Sequence, residues 1–195
     1  MSLSAAWSSV AVNGTGYTPK IGGLGFSGYN HYFNGYITGL RVARSALYTA
    51  AFSVPTSAPT NVSNTVLLSN FANGIISDRS RNLNIATIGN VSISSDAAKF
   101  GSGSLSFNGS NTILAIGAIA DPRLNFGSRD FTIEAWINTT GTITGNWCIY
   151  ANFGGARSGA HLLRLLSSGS KVAFYSYPSG DIVTSTTSIS SGTWY

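Results

Sequence analysis

Six carboxylates are the whole acidic complement of this 195-residue chain: Asp78, Asp96, Asp121, Asp130, Glu134 and Asp181. Glycoside hydrolysis by paired acids needs two of them flanking the scissile bond, about 5 to 10 Å apart. Only Asp130 and Glu134 lie within four residues of each other, and Asp130 falls where a strand begins, in a turn. No catalytic residue is expected from this set. The histidines are two, His31 and His161. A Ser/His/Asp site needs one of them positioned beside an activated nucleophile, and no G-x-S-x-G elbow occurs. His161, in "GAHLLRLL" at a loop-to-strand junction, reads as a surface or rim residue. The single cysteine, Cys148, excludes an intramolecular disulfide and a cysteine-ligated zinc site. Among the apolar neighbours of "NWCIY" it reads as a buried structural thiol. There is no phosphate loop or dinucleotide fingerprint.

The chemistry that the residue types do supply is sugar recognition, which needs aromatic faces for ring stacking and amide or guanidinium donors at a rim. The chain carries four Trp, nine Tyr and many Asn. The candidate ligand-binding residues are Trp147, Asn152, Arg157 and Tyr175. A second group is Tyr29, His31 and Tyr32. Aromatic residues in a β-sandwich also serve as core and cross-strand packing, which is the competing role for each.

Charge points to no polyanionic partner. The net charge is +5, but it arises from few acids rather than many bases. The eleven Lys and Arg are scattered, with Arg41/Arg44 and Arg79/Arg81 the closest groups. An electrostatic footprint for nucleic acid needs clustering, so none is expected. No apolar run approaches the roughly 20 residues of a membrane-spanning helix, and "MSLSAAWSS" lacks the charged start and apolar stretch of a signal peptide. Neither a membrane nor a secretory leader is therefore expected.

Positioning falls to strands. Charged residues make up only 9% of the chain, against about 25% in an average soluble domain, and Ser, Thr, Asn and Gly supply the polarity instead. Apolar residues alternate with period two. "DFTIEAWI" sets Phe131, Ile133, Ala135 and Ile137 on one face, with Thr132, Glu134 and Trp136 on the other. "SLSFN" alternates Leu105 and Phe107 with serines, and "SKVAFYSY" alternates Val172 and Phe174 with Ala173, Tyr175 and Tyr177. In "FNGYITGLRV" the alternation slips phase, which predicts a bulge at Thr38–Gly39. "SALYTAAF", residues 45 to 52, has room for one short helical turn at most. Pro55 and Pro59 in "SVPTSAPTNVSNT" mark residues 55 to 63 as a linker between segments 1–54 and 64–195. The fold class is all-β, a two-sheet antiparallel sandwich.

The chain resembles the LamG-like jelly-roll family of the concanavalin A-like lectin/glucanase superfamily, in the form found in phage tail and virion proteins. The front of such a domain is similar to "NTVLLSNFANG", "SDRSRN", "IGNVSISSDAAKFGSGSLSFNGSN", "FTIEAWI" and "GTWY". Its last part is similar to "IGG" at 21 to 23, "FNGYI" at 33 to 37 with Arg41, Arg44 with Tyr48, and Phe52 with Pro55. Here the two parts stand in reversed order. Three arrangements follow: a slice of a tandem array, a circular permutant folding as one jelly roll, or segments exchanged between chains to give a homo-oligomer. A compact sandwich, formed in cis or by exchange, is expected. "AAWSSVAVNGT", residues 5 to 15, would supply part of the hairpin that the family places after "TWY".

The resemblance also sets expectations about function. Glucanase relatives carry their acids as E-x-D-x-x-E, which this chain lacks, and Glu134 occupies a structural position expected to pair with a basic strand residue such as Arg41. LamG and lectin relatives often bind calcium at the rim. Asp78 is the one calcium candidate here, although Arg79 and Arg81 oppose a cation and an Asx-turn is the competing role. No other cofactor is implied. The expected function is a non-catalytic adhesion or decoration module of a virion or extracellular surface, with glycan as its partner. The alternatives are a structural spacer and a hydrolase remnant.

Overall fold

The computed structural model describes residues 17–25, 28, 30–71, 76–80, 82–153 and 159–195. Residues 5 to 15, Tyr29, Arg81 and Arg157, all invoked above, lie outside this set. The strands in chain order are β1 (Lys20–Ile21), β2 (Asn34–Ala43), β3 (Thr65–Ser69), β4 (Ile85–Ile88), β5 (Ser92–Ser94) and β6 (Ser104–Asn108). They continue with β7 (Ile113–Ile116), β8 (Thr132–Thr139), β9 (Trp147–Asn152), β10 (His161–Leu166), β11 (Lys171–Ser176) and β12 (Gly180–Ser188).

The strands form two antiparallel sheets, an arrangement compatible with a jelly roll. One runs β12-β11-β10-β9-β1-β7-β4. The other is built around β2, whose residues 35–43 pair with β8 along one edge. On the opposite edge, residues 34–37 pair with β6 and residues 40–43 with β3, so β6 and β3 dock end to end, and β5 extends the sheet beyond β6. Strands from residues 20–43 thus lie inside both sheets. β1 is flanked by β7 and β9.

The predicted bulge is present. Register between β2 and β8 shifts between Thr38 and Arg41, and Gly39 takes the left-handed backbone at φ +57°. The slip moves Ile37 and Leu40 onto one buried face although they differ in parity. A Cβ at Gly39 would sit 3.1 Å from Pro59 Cδ and 3.3 Å from Trp136 Cδ1. Left-handed backbone costs an ordinary residue about 1–2 kcal/mol, so Gly39→Ala is expected to destabilise by about that much, read as a lowered urea midpoint. An unchanged midpoint would argue against a strained bulge.

The interior follows the alternation. Ile37, Leu40, Leu105, Phe107, Ile137, Leu165, Val172 and Phe174 belong to one core cluster, and Phe131, Ile133 and Ala135 pack against it. Phe33 sits at its centre, edge-on to Phe107 at 6.1 Å and to Trp147 at 6.0 Å between ring centroids, the edge-to-face geometry that the ring quadrupoles favour.

Residues 45 to 52 contain no helical turn; they form bends. With residues 55 to 63 they lie against the outer face of the β2 sheet. Arg41 Nη1 donates to Thr60 O at 3.0 Å and Asn70 Nδ2 to Pro59 O at 3.2 Å. Tyr48 stacks on Phe52 at 3.9 Å and donates its hydroxyl hydrogen to Glu134 Oε2 at 2.7 Å. Glu134 forms the expected ion pair with Arg41. The pair needs this topology, because β2 and β8 place Arg41 and Glu134 directly opposite each other.

His161 requires a correction. It is not a rim residue but fully buried. Its position at the start of β10 gives it the inward parity of Leu163 and Leu165, and Phe126, Tyr150 and Phe174 pack around its ring at 5.3, 6.0 and 5.9 Å.

Candidate functional site

The outer face of the seven-stranded sheet gathers the most promising groups. Strand registers line up one row across the whole sheet: Ala86, Ala115, Lys20, Ala151, Leu162, Tyr175 and Asp181, one residue from each strand. In an antiparallel sheet directly opposed residues share a face with Cβ atoms about 5 Å apart, so the row is continuous. Its middle is small, with alanines on both sides of Lys20. Its far end is aromatic and charged.

A second row, Cys148, Arg164 and Ala173, runs beside it. The Arg164 guanidinium lies over the Tyr175 ring, 4.7 Å from its centroid. Asp181 holds that guanidinium in place, accepting from Nε at 3.1 Å and from Nη2 at 2.8 Å. Cation–π stacking and a two-point carboxylate contact both favour arginine over lysine here. Phe153 meets Tyr175 edge-on at 5.9 Å.

After β1, residues 22–24 pair back with residues 31–33. Phe33 N donates to Gly22 O at 2.8 Å and Leu24 N to His31 O at 3.2 Å. Leu24 covers a small apolar cluster with Cys148, Ala151, Phe153, Ala160 and Leu162, against which Tyr175 and Tyr177 pack. Lys20 Nζ donates to Leu24 O at 2.7 Å. Burial lowers the Lys20 ammonium pKa. Burial also pushes the Cys148 thiol up to about 12, so it stays protonated, as a structural cysteine should. His31 is half-buried. Burial lowers its pKa, a contact with the backbone of Asn146 raises it, and the positive charge of Arg164 lowers it again.

The candidates read from sequence therefore divide. Tyr175 is on the outer face, partly exposed and within the Arg164–Asp181 arrangement. His31 is partly buried, and its carbonyl accepts from Leu24 N. Tyr32 bridges Gly23. Trp147 and Asn152 face the interior and are buried, so neither offers a surface for stacking. Arg157 and Tyr29 lie outside the described residues. Sequence reasoning missed Arg164, Asp181 and Lys20. The signal for Arg164 was its place in "HLLRLL", a charge inside an apolar strand.

Asp78 is committed elsewhere. Its Oδ1 accepts from Leu68 N and Ser80 N, both at 2.9 Å, and its Oδ2 from Asn82 N at 3.0 Å and Leu83 N at 2.8 Å. The Ser80 hydroxyl contacts both oxygens. With both oxygens occupied by N–H and O–H donors, the carboxylate has no lone pair left for calcium. Among the described residues no group of three or more His, Cys, Asp or Glu is placed to hold a metal ion, and no helix is long and apolar enough to cross a membrane. Comparison of the chain with protein-family models, curated proteins and solved structures yields no match.

Proposed function

We propose that this protein is a non-catalytic recognition module that binds a hydroxyl-rich ligand of the glycan class on the outer face of its seven-stranded sheet. The observation that carries this reading is the Arg164–Tyr175–Asp181 arrangement at the end of a row floored by alanines. It combines an aromatic side chain, a guanidinium and a carboxylate held in one place, the group types that recognise sugar hydroxyls and C–H faces. The acids support a non-catalytic role. Asp121 pairs with Arg123, Glu134 with Arg41 and Asp181 with Arg164, while Asp78 is ringed by amides. Each of these carboxylates is held in a separate place. The two-sheet sandwich agrees with the resemblance to LamG-like jelly rolls of phage tail and virion proteins, and from that resemblance comes the assignment to a virion or extracellular surface.

The test is a glycan array probed with the wild-type chain and with Tyr175→Ala and Arg164→Ala, each shown to be folded by circular dichroism. At least one glycan class should be bound, and both variants should weaken that binding about tenfold, the effect of roughly 1.4 kcal/mol. Failure to bind any glycan, or binding indifferent to both substitutions, would favour a structural spacer instead.

A further inference from the structure

A second polar row lies on the inner face of the same three strands, back to back with the outer one. Registers place His161 directly between Asn152 of β9 and Ser176 of β11, and Tyr150 is one step along on the same face. All four side chains are fully buried. Among the described residues, four atoms of this row, Tyr150 Oη, Asn152 Oδ1, His161 Nε2 and Ser176 Oγ, make no hydrogen bond, and neither does the buried Oδ1 of Asn125. Asn125 follows Leu124, whose carbonyl accepts from Asn152 Nδ2 at 3.2 Å. Phe126 and Phe174 wall the place through their contacts with the His161 ring.

Buried polar atoms in native proteins are almost always satisfied, by protein or by ordered water. Leaving so many unpaired would cost a large share of a domain's net stability. Their own chemistry does not close the account. His161 Nδ1 faces Gly159 O at 3.1 Å, so Nδ1 carries the proton and Nε2 is an acceptor. Asn152 gives one amide hydrogen to Leu124 O, and its Oδ1 is an acceptor. Asn125 Oδ1 is another. Against three acceptors stand two hydroxyls, Tyr150 and Ser176, each with one hydrogen to give. These atoms nonetheless do not pair with one another, and the partner that would satisfy them is a small neutral molecule able both to donate and to accept.

We propose that the row encloses at least one structural water, which donates to His161 Nε2 and Asn152 Oδ1 and accepts from the Tyr150 or Ser176 hydroxyl. Water is the smallest guest that supplies two donors, and a buried water needs two to four polar partners, which this row provides. The inference is independent of the ligand proposed for the outer face. It gives β9, β10 and β11, the strands that carry Tyr175 and Arg164, a shared polar tie beneath them.

High-resolution diffraction from wild-type crystals should show ordered density within hydrogen-bond distance of both His161 Nε2 and Asn152 Oδ1. Oxygen-17 relaxation dispersion in solution should count at least one long-lived water that is lost in the double variant Asn152→Leu/His161→Leu. Direct pairing of these side chains without intervening density would overturn the proposal, as would equal water counts for the two proteins. Should the double variant not fold, the wild-type density decides.

Discussion

Acidification from pH 6.5 to about pH 4 is expected to remove about 3 kcal/mol of stability through His161 alone. Burial lowers the pKa of this imidazole from 6.5 to about 4, and the carbonyl of Gly159 only partly opposes it. The unfolded chain takes up the proton near 6.5, whereas the folded protein does so only near 4. Between those values the unfolded state holds more protons, so stability rises with pH across the window and falls as acid is added. At about 1.4 kcal/mol per pH unit, the window amounts to roughly 3 kcal/mol, a sizeable part of the 5–15 kcal/mol typical of a domain. Urea unfolding of the wild type and of His161→Leu at a series of pH values isolates this contribution, because the carboxylates titrate in both. The wild type should lose stability relative to His161→Leu as pH falls from about 6.5 to about 4, and the two profiles should run parallel above pH 7. Profiles that stay parallel below that window's upper end, or an imidazole that titrates near 6.5 by NMR in the folded protein, would contradict the assignment.

Asp78→Ala is expected to cost roughly 3–5 kcal/mol. Two of the four amides that it satisfies, those of Leu68 and Leu83, are in buried hydrogen bonds, and each stranded buried donor costs about 1–3 kcal/mol. The Ser80 and Asn82 amides add less, because water reaches them. Asp78→Asn should recover only part of the loss, since one carboxylate oxygen is replaced by an amide nitrogen facing N–H donors. Midpoints of urea unfolding give the comparison, and a loss below about 1 kcal/mol for Asp78→Ala would show that the amides find other partners. The same geometry predicts that calcium and chelators leave the wild-type Tm unchanged. A calcium-dependent rise in Tm that Asp78→Ala abolishes would instead restore the cation-binding role.

Several features were legible because they are local. The face of β8 that carries Ile133 and Ile137, the serine alternation of β6 and the slip at Gly39 all follow from side chains alternating across a pleat, which neighbouring residues alone define. Asp78 was legible as a turn residue for the same reason, although its reach to Leu68 was not. Trp147 and Asn152 show the limit. They were chosen by residue type, and type does not say which of two faces looks inward. His161 carried a usable parity signal, shared with Leu163 and Leu165, but the small residues of Gly159–Ala160 before it suggested a rim.

Sequence alone was enough for the strand content, the faces of β6, β8 and β11 and the bulge in β2, since these depend on period and composition. Tertiary structure decided the rest. The row from Ala86 to Asp181 draws on strands from residue 20 to residue 181, and only their register brings Lys20, Tyr175 and Asp181 into line. The burial of His161 and the covering of Cys148 by Leu24 were settled in the same way. A strand's two faces are written in its own residues, but what packs on each face is fixed by contacts between segments far apart in the chain.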